Sequence, residues 1–498
     1  MPADAHALEN DAPVVELELL DLAHGGDAVG RYQGRAVFVP GGLPGELIRA
    51  RLVRDRGSYA RATLVEILRP SPDRVAPRYP ALGESGGFQW QHLDYAAQLV
   101  WKTRIVRQLM LRIGHFAHPA VHPTLGMPAG ADLWRYRTVA QFAVGQDGAI
   151  GFRRAASHDV IDMLACPIVH PALDALYQDV RRWLRARWGE DTARFLERFT
   201  LRVAAHTSDD TRPQLLPSGI PALPRPPDIP AAPLETQDAA ATARPAPAPG
   251  QHAGLISIEA RPGGALDADG GPERLGEALL EAIPSLMGAV VLGLPGGRGR
   301  VEIGQDFVYD RVFDRVFRIS AGSFFQVNHA QTPVLVEHAL AAAHIRPTDR
   351  VVDGYSGVGL FSLFLAGRAT RVRAVESQPS AVADARASAT INHITNVTTV
   401  EGVLERVLSL LAHQGERVDV VLVDPPRAGC HPRAIAAIKA LAPRTVVYVS
   451  CDPSTLARDL RLLCDDGYQL AHIQPVDLFP HTAHIECIAL CERTRDLP

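Results

Sequence analysis

Alternating apolar and polar residues dominate the first part of the chain. VVELELLDL, RAVFVPG, GELIRARLV and YARATLVEIL fall within residues 13–69, separated by turns that contain Gly or Pro. Such runs predict short, half-buried strands. So many in so few residues predict a small β-barrel, a fold that often presents a face to nucleic acid. The spacing changes at QWQHLDYAAQLVWKTRIVRQLMLRIG (89–114), where apolar residues recur at helical intervals up to a glycine. LWRYRTVAQFAVGQDGAIGFRR predicts a hairpin turning at Gln146–Gly148, and ALDALYQDVRRWLRARW returns to helix. Residues 207–250 are rich in Pro and Ala without hydrophobic periodicity, and predict a disordered insertion.

From about residue 315 the pattern alternates strand and helix. RVVDGYSGVG, RVRAVE, VDVVLVDPP, TVVYVSC and AHIECIALCE are the strands; LFSLFLAG, PSAVADARASATI, PRAIAAIKALA and TLARDLRLLCDDG are the helices between them. This is the signature of a doubly wound α/β domain, whose ligands sit at the carboxyl ends of the strands. The expected organisation is a disordered start (1–12), a barrel (13–70), a central α+β domain (71–314) and the α/β domain (315–498). The barrel is expected to stand apart from the α/β sheet.

Composition narrows the class. The chain has 498 residues, 47% hydrophobic and 21% charged, with no long uncharged apolar run, so no membrane span is expected. Its start lacks a basic segment followed by an apolar one, so no secretory signal is expected. Six cysteines in so long a chain do not make a disulfide framework, and a reducing cytoplasm fits. Net charge is −4, yet arginines outnumber acids from residue 71 to about 205. A GC-rich genome would write basic residues this way, but arginine also suits phosphate contacts.

The candidate chemistry lies at the predicted strand ends. VVDGYSGVGLFS (351–362) runs from a strand ending in Asp353 through Gly357 and Gly359 into a helix, so its backbone can approach a ligand. Glu376 ends the next strand, where a carboxylate can hold the ribose hydroxyls of an adenosine. A nicotinamide dinucleotide uses a similar arrangement. Asp353 and Tyr355, in place of G-x-G-x-x-G, favour S-adenosylmethionine. Asp424 follows, in VLVDPPRAG, on a loop stiffened by two prolines. Arg427 there takes the place of the aromatic that stacks a base in amino-group methyltransferases, and of the cysteine in enzymes that make 5-methylcytosine. Cys430 comes three residues too late for the latter.

Cys451 stands at the tip of VVYVSC, before Pro453. Most free cysteines are small core residues. A thiolate beside a cofactor loop can instead add to carbon 6 of a pyrimidine, which makes carbon 5 nucleophilic enough to take a methyl group. A base must then remove the hydrogen from carbon 5 so that the thiol is eliminated. Glu486, near the start of the last strand in HTAHIECIAL, suits that second role. Cys464 and Cys491 fit the core, and Cys487 faces away from Glu486. His481 and His484 are either structural or contacts to RNA. No metal site is expected.

Together these residues resemble the RNA 5-methyluridine methyltransferase family. SFFQVN (323–328), DGYSGVGLFS, VDPPRAG, VSCDPSTLARDL and DLFPHTAHIE occur in the family's order, and residues 13–69 resemble the TRAM barrel that many members carry. The resemblance implies Cys451 as nucleophile and Glu486 as base. It places Gln326, Tyr355, Glu376 and Asp424 on cofactor-binding positions for S-adenosylmethionine. It implies a class I methyltransferase fold acting as a monomer on structured RNA, with ribosomal RNA favoured over transfer RNA. Three departures stand out. Leu360 replaces an asparagine, and Val403 replaces a carboxylate beside the cofactor. Tyr79, Ser85 and Phe88 occupy places where many members have cysteines that hold an iron–sulfur cluster with a further cysteine, here Cys166. One cysteine cannot hold a cluster, so a cluster-free protein is expected. A catalytically inactive RNA-binding or folding factor on this scaffold, and a nicotinamide oxidoreductase, are the competing readings.

Overall fold

A computed structural model describes residues 12–55, 57–155, 157–206, 252–261, 266, 270–292 and 300–494. The segments expected to be disordered, 1–12 and 207–250, lie outside these residues except for Ala12.

Five strands close the first barrel: β1 (Val14–Leu22), β2 (Ala28–Tyr32), β3 (Arg35–Val39), β4 (Leu47–Asp55) and β5 (Tyr59–Arg69), in the order β1-β2-β3-β5-β4. Along β1, exposed Val14, Glu16 and Glu18 alternate with buried Val15, Leu17 and Leu19, as the period of two requires. The sequence pattern misses β2, whose AVGRY reads as a break. Gly30 is needed there because a Cβ would come within 2.5 Å of Leu17 Cδ1.

The predicted helix at 89–114 begins only at Tyr95, where the Asp94 carboxylate caps it by accepting from the Ala96 and Ala97 amides. It ends at Arg112. The central sheet has seven strands: β6 (Val139–Val144), β7 (Ile150–Arg153), β8 (Val160–Asp162), β9 (Leu196–Val203), β10 (Gly254–Ala260), β11 (Leu286–Leu292) and β12 (Arg300–Gly304). The turn between β6 and β7 closes with Gly145 N–H donating to Ala149 O at 2.8 Å, around the predicted Gln146–Gly148. A hairpin of β13 (Phe307–Val312) and β14 (Arg315–Ser320) leads to the last domain.

That domain is built on β15 (Arg350–Gly354), β16 (Arg371–Glu376), β17 (Val397–Glu401), β18 (Val420–Val423), β19 (Thr445–Ser450), β20 (Tyr468–Val476) and β21 (Glu486–Arg493). Their order is β17-β16-β15-β18-β19-β21-β20, with β21 antiparallel to both neighbours. The two strands missing from the sequence pattern, β17 and β20, are the edges, where partial exposure lets polar residues break up the apolar run.

The barrel does not stand apart from this sheet. One apolar cluster runs from Val15, Leu17 and Ile48 of the barrel through Trp90, Leu93 and Val106 to Val421, Ile485 and Ala489. The helix Tyr95–Arg112 contributes Ile105, Val106 and Met110 to this cluster.

Candidate active site

The two strands that carry the predicted nucleophile and base lie side by side. In the antiparallel ladder of β19 and β21, Ser450 pairs with Cys487. Continuing that register by one step sets Cys451 opposite Glu486 on one face, where directly opposed residues sit about 5 Å apart. Cys487 points to the other face and is buried, as expected. Asp424 follows β18, the parallel neighbour of β19, so all three groups meet at one edge of the sheet.

Charge at this edge is unbalanced. Glu486 is 2% exposed and its Oε1 has no hydrogen-bond partner among the described residues. Burial, then the Asp424 charge, pushes its carboxyl well above the ordinary range. Burial pushes the half-buried Asp424 up to about 7. Burial also raises the Cys451 thiol to about 12, reinforced by Glu486 and Asp424 and opposed by Arg427. Arg427 is exposed at the mouth, its Nη2 3.3 Å from His484 Nδ1. It is the functional residue that sequence reasoning passed over, treated only as an argument against other chemistries. Its place two residues after Pro425, on the Asp424 loop, was the available signal.

The residues predicted to hold the cofactor line the adjoining strand ends. Asp424 N–H donates to Gly354 O at 3.2 Å, joining the β18 end to the glycine turn after β15. Glu376 Oε2 accepts from the Gly357 amide at 2.9 Å, and Oε1 accepts from Ser377 and Gln378 at 2.7 and 2.8 Å. The carboxylate thus ties the turn to the β16 end and keeps lone pairs for hydroxyl donors. Asp353 is fully buried; Ser362 Oγ donates to its Oδ2 at 2.5 Å, while Oδ1 has no partner. Burial raises its carboxyl to about 7, against that hydrogen bond. Buried Gln326 follows Phe324, whose carbonyl lies 4.0 Å from where a Gly357 Cβ would stand.

Tyr355, also predicted to hold the cofactor, lies on the same turn. Its backbone is left-handed (φ 60°), and its hydroxyl turns to Cys430 and the His431 backbone, so it braces the loop after Asp424. A cavity of about 500 Å³ beyond Glu376 is lined by Ser377, Glu401, Gly402, Val403, Arg406 and Val407, among others. Val403 therefore faces the cavity without a carboxylate, and Leu360 is buried in the core.

Orphaned Asp353 Oδ1, the raised carboxyls and the glycine turn fit a bound group that carries positive charge and hydroxyl donors. S-adenosylmethionine is such a group. An iron–sulfur cluster does not fit. Phe88 stacks on Trp134 at 6.0 Å, Tyr79 meets the same ring edge-on at 5.0 Å, and Ser85 Oγ donates to Leu82 O. Cys166 lies in the same apolar cluster, its thiol raised to about 12 by burial.

A buried network holds the loop before Glu486. Lys102 Nζ donates to Asp477 Oδ1 at 2.6 Å and to Phe479 O at 3.1 Å. Gln98 Oε1 accepts from the His481 amide at 2.9 Å, and Trp134 stacks on the His481 ring at 4.0 Å. Burial lowers His481 to about 4, which makes it a neutral structural histidine.

The model of the family described as tRNA (uracil-5-)-methyltransferase matches residues 296–494, and that of the TRAM domain matches 13–65. Among curated relatives, a Halalkalibacterium halodurans protein named as an uncharacterised RNA methyltransferase is 35% identical, over 97% of this chain and 98% of its own. A Caldanaerobacter subterraneus protein of the same description is 34% identical, over 96% of this chain and 98% of its own. The chain belongs to the RNA uracil-5-methyltransferase family. It is an S-adenosylmethionine-dependent enzyme acting on RNA. Its fold is that of Pyrococcus abyssi tRNA (uracil-54, C5)-methyltransferase, solved with S-adenosyl-L-homocysteine, at a TM-score of 0.66 and 23% identity, covering 95% of this chain and 99% of that one.

Proposed function

We propose that this methyltransferase modifies carbon 5 of a uridine in ribosomal RNA through a transient bond from Cys451 Sγ to carbon 6. The observation that carries this reading is the ladder of β19 and β21, which sets Cys451 against Glu486 with Asp424 and Arg427 beside them. S-adenosylmethionine supplies an electrophilic methyl group when bound; Gln326, Glu376 and Asp424 are the residues that hold it. Cys451, as thiolate, adds to carbon 6, and the displaced electron pair moves through carbon 5 towards the ring carbonyl. After methyl transfer, Glu486, which burial favours as the neutral acid in the empty site, must be ionised to take the hydrogen from carbon 5. The electron pair of that bond restores the ring double bond and expels Cys451 as thiolate. Intact Cys451, Glu486 and Asp424 argue against an inactive folding factor.

A ribosomal target is supported by the barrel, since some transfer-RNA members lack it. Transfer RNA is the second reading, supported by the description of the family model itself. One chain carries nucleophile, base and barrel together, which suits a monomer. Cys464 and Cys491 remain free thiols with Sγ atoms 3.7 Å apart, which suits a reducing cytoplasm. Mapping 5-methyluridine in ribosomal and transfer RNA from a deletion strain tests the target. Loss of one ribosomal 5-methyluridine is expected; unchanged 5-methyluridine in both RNA classes would refute the reading.

A further inference from the structure

Between β1 and β2 the barrel turns through Ala23–Asp27, closed by Ala23 N–H to Asp27 O at 2.9 Å and Gly26 N–H to Ala23 O at 3.0 Å. This turn is seated on the catalytic loop. The Trp90 indole N–H donates to Gly26 O at 3.1 Å. A Cβ on Gly26 would lie 2.9 Å from the Ala483 Cβ and 3.0 Å from Trp90 Nε1, and its φ of 101° already favours glycine. Ala483 is three residues before Glu486. Ion pairs from Asp27 to Arg61 (3.2 Å) and from Asp21 to Arg104 (3.4 Å) hold the flanks.

The tip of the turn is left open. His24 and Gly25 are exposed, and His24 makes no hydrogen bond among the described residues. It lies close enough to Asp452, next to Cys451, and to His484, two residues before Glu486, to act on both electrostatically. The interior of the cleft carries the acids Asp353, Asp424 and Glu486, whereas its mouth carries the basic side chains Arg427 and His24. A uridine whose carbon 6 reaches Cys451 must leave its sugar-phosphate at that mouth.

We propose that the first turn of the barrel forms one wall of the catalytic cleft, and that His24 contacts substrate by donating a hydrogen bond to the backbone phosphate of the target nucleotide. This rests on the reading that Cys451 attacks that nucleotide. The barrel is then more than a remote RNA anchor, because it completes the site that admits the reacting base.

The test compares the full-length wild type with His24→Ala and His24→Lys. Two RNA probes are used: total RNA from a strain lacking the gene, with labelled methyl donor, and a short oligouridylate for binding as a function of salt. His24→Ala should raise KM for RNA about tenfold, the scale of one hydrogen bond to a charged group, with kcat unchanged. At about pH 5.5, where an imidazole carries a positive charge, the slope of log Kd against log salt should become shallower by about 0.7, one phosphate contact to a single strand. His24→Lys should restore both values, and S-adenosylhomocysteine affinity should not move. Unchanged KM and slope in His24→Ala would overturn the proposal. So would a loss that lysine does not restore, or one shared by S-adenosylhomocysteine binding, since either marks a structural role. If the wild type transfers no methyl group to the total RNA, the uridine reading fails instead, and the oligouridylate slope still judges His24.

Discussion

Replacing Glu486 by glutamine separates methyl transfer from product release. The two side chains have nearly the same shape, but the amide cannot accept the proton from carbon 5. Glu486 is 2% exposed, with one oxygen unpartnered. Its carboxyl is raised by burial and then by Asp424, so the folded protein favours the neutral form. The stability this contributes is present below the ordinary carboxylate pKa and is lost as pH rises through the folded value. A neutral amide escapes that loss, so Glu486→Gln should fold within about 1 kcal/mol of the wild type at neutral pH and compare better as pH rises. Turnover should nevertheless fall about 10²–10⁴-fold, the range for a lost general base, which is about 3–5 kcal/mol of barrier.

The assay is denaturing electrophoresis after incubation with RNA and labelled methyl donor. Glu486→Gln should accumulate a protein–RNA adduct that carries the label and requires the cofactor. Cys451→Ala should form none, and the double variant should match it. An adduct that persists in Cys451→Ala would assign the nucleophile elsewhere. Buried Cys430 is a poor substitute, because its side chain is 2% exposed whereas that of Cys451 is half-buried, and its amide is tied to Asp459 Oδ2 at 2.8 Å. Full turnover by Glu486→Gln would remove this carboxylate from the mechanism.

Asp353 and Asp424, both raised to about 7, should ionise when the cationic cofactor binds, so its affinity should rise from pH 6 to 8 while that of neutral S-adenosylhomocysteine changes less. Calorimetry in buffers of different ionisation enthalpy should detect proton release for the first only, and equal pH dependence would contradict the assignment. Protein purified anaerobically should be colourless and iron-free because aromatic side chains fill the cluster position; near-stoichiometric iron and sulfide would overturn this. Asp477→Ala should cost about 3–5 kcal/mol in urea unfolding, since it strands the buried Lys102 ammonium. A cost below about 1 kcal/mol would mean that the pair does not hold the catalytic loop.

The sequence made the α/β domain legible because its strands end in chemistry. Asp353, Glu376, Asp424 and Cys451 each close an apolar run, so the hydrophobic pattern and the motif mark the same boundary. Glu486 lay within reach as the first residue of the last strand. What stayed hidden was lateral. No local pattern shows that β21 inserts antiparallel between β19 and β20, which is what sets Glu486 opposite Cys451. Contacts between distant residues were equally silent: Gln98 with His481, Lys102 with Asp477, Gly26 with Ala483. The helix Tyr95–Arg112 reads as amphipathic either way, and only the packed structure shows a lysine inside it.

The raised pKa values impose an order on the chemistry. Burial first, then Glu486 and Asp424, push the Cys451 thiol up to about 12, which disfavours the thiolate. Arg427 opposes this rise, but it is exposed and shared with His484. A positive charge beside Asp424 offsets the carboxylate field and lowers the thiol pKa in the same step. On the proposed mechanism, nucleophilicity would thereby be tied to the presence of the methyl donor. A free, permanently ionised thiol at this half-open position would add to uridines that cannot be methylated, or be oxidised. On the proposed mechanism, the acidic floor of the cleft would serve two ends: it would attract the cationic cofactor, and it would keep Cys451 protonated until that cofactor is in place.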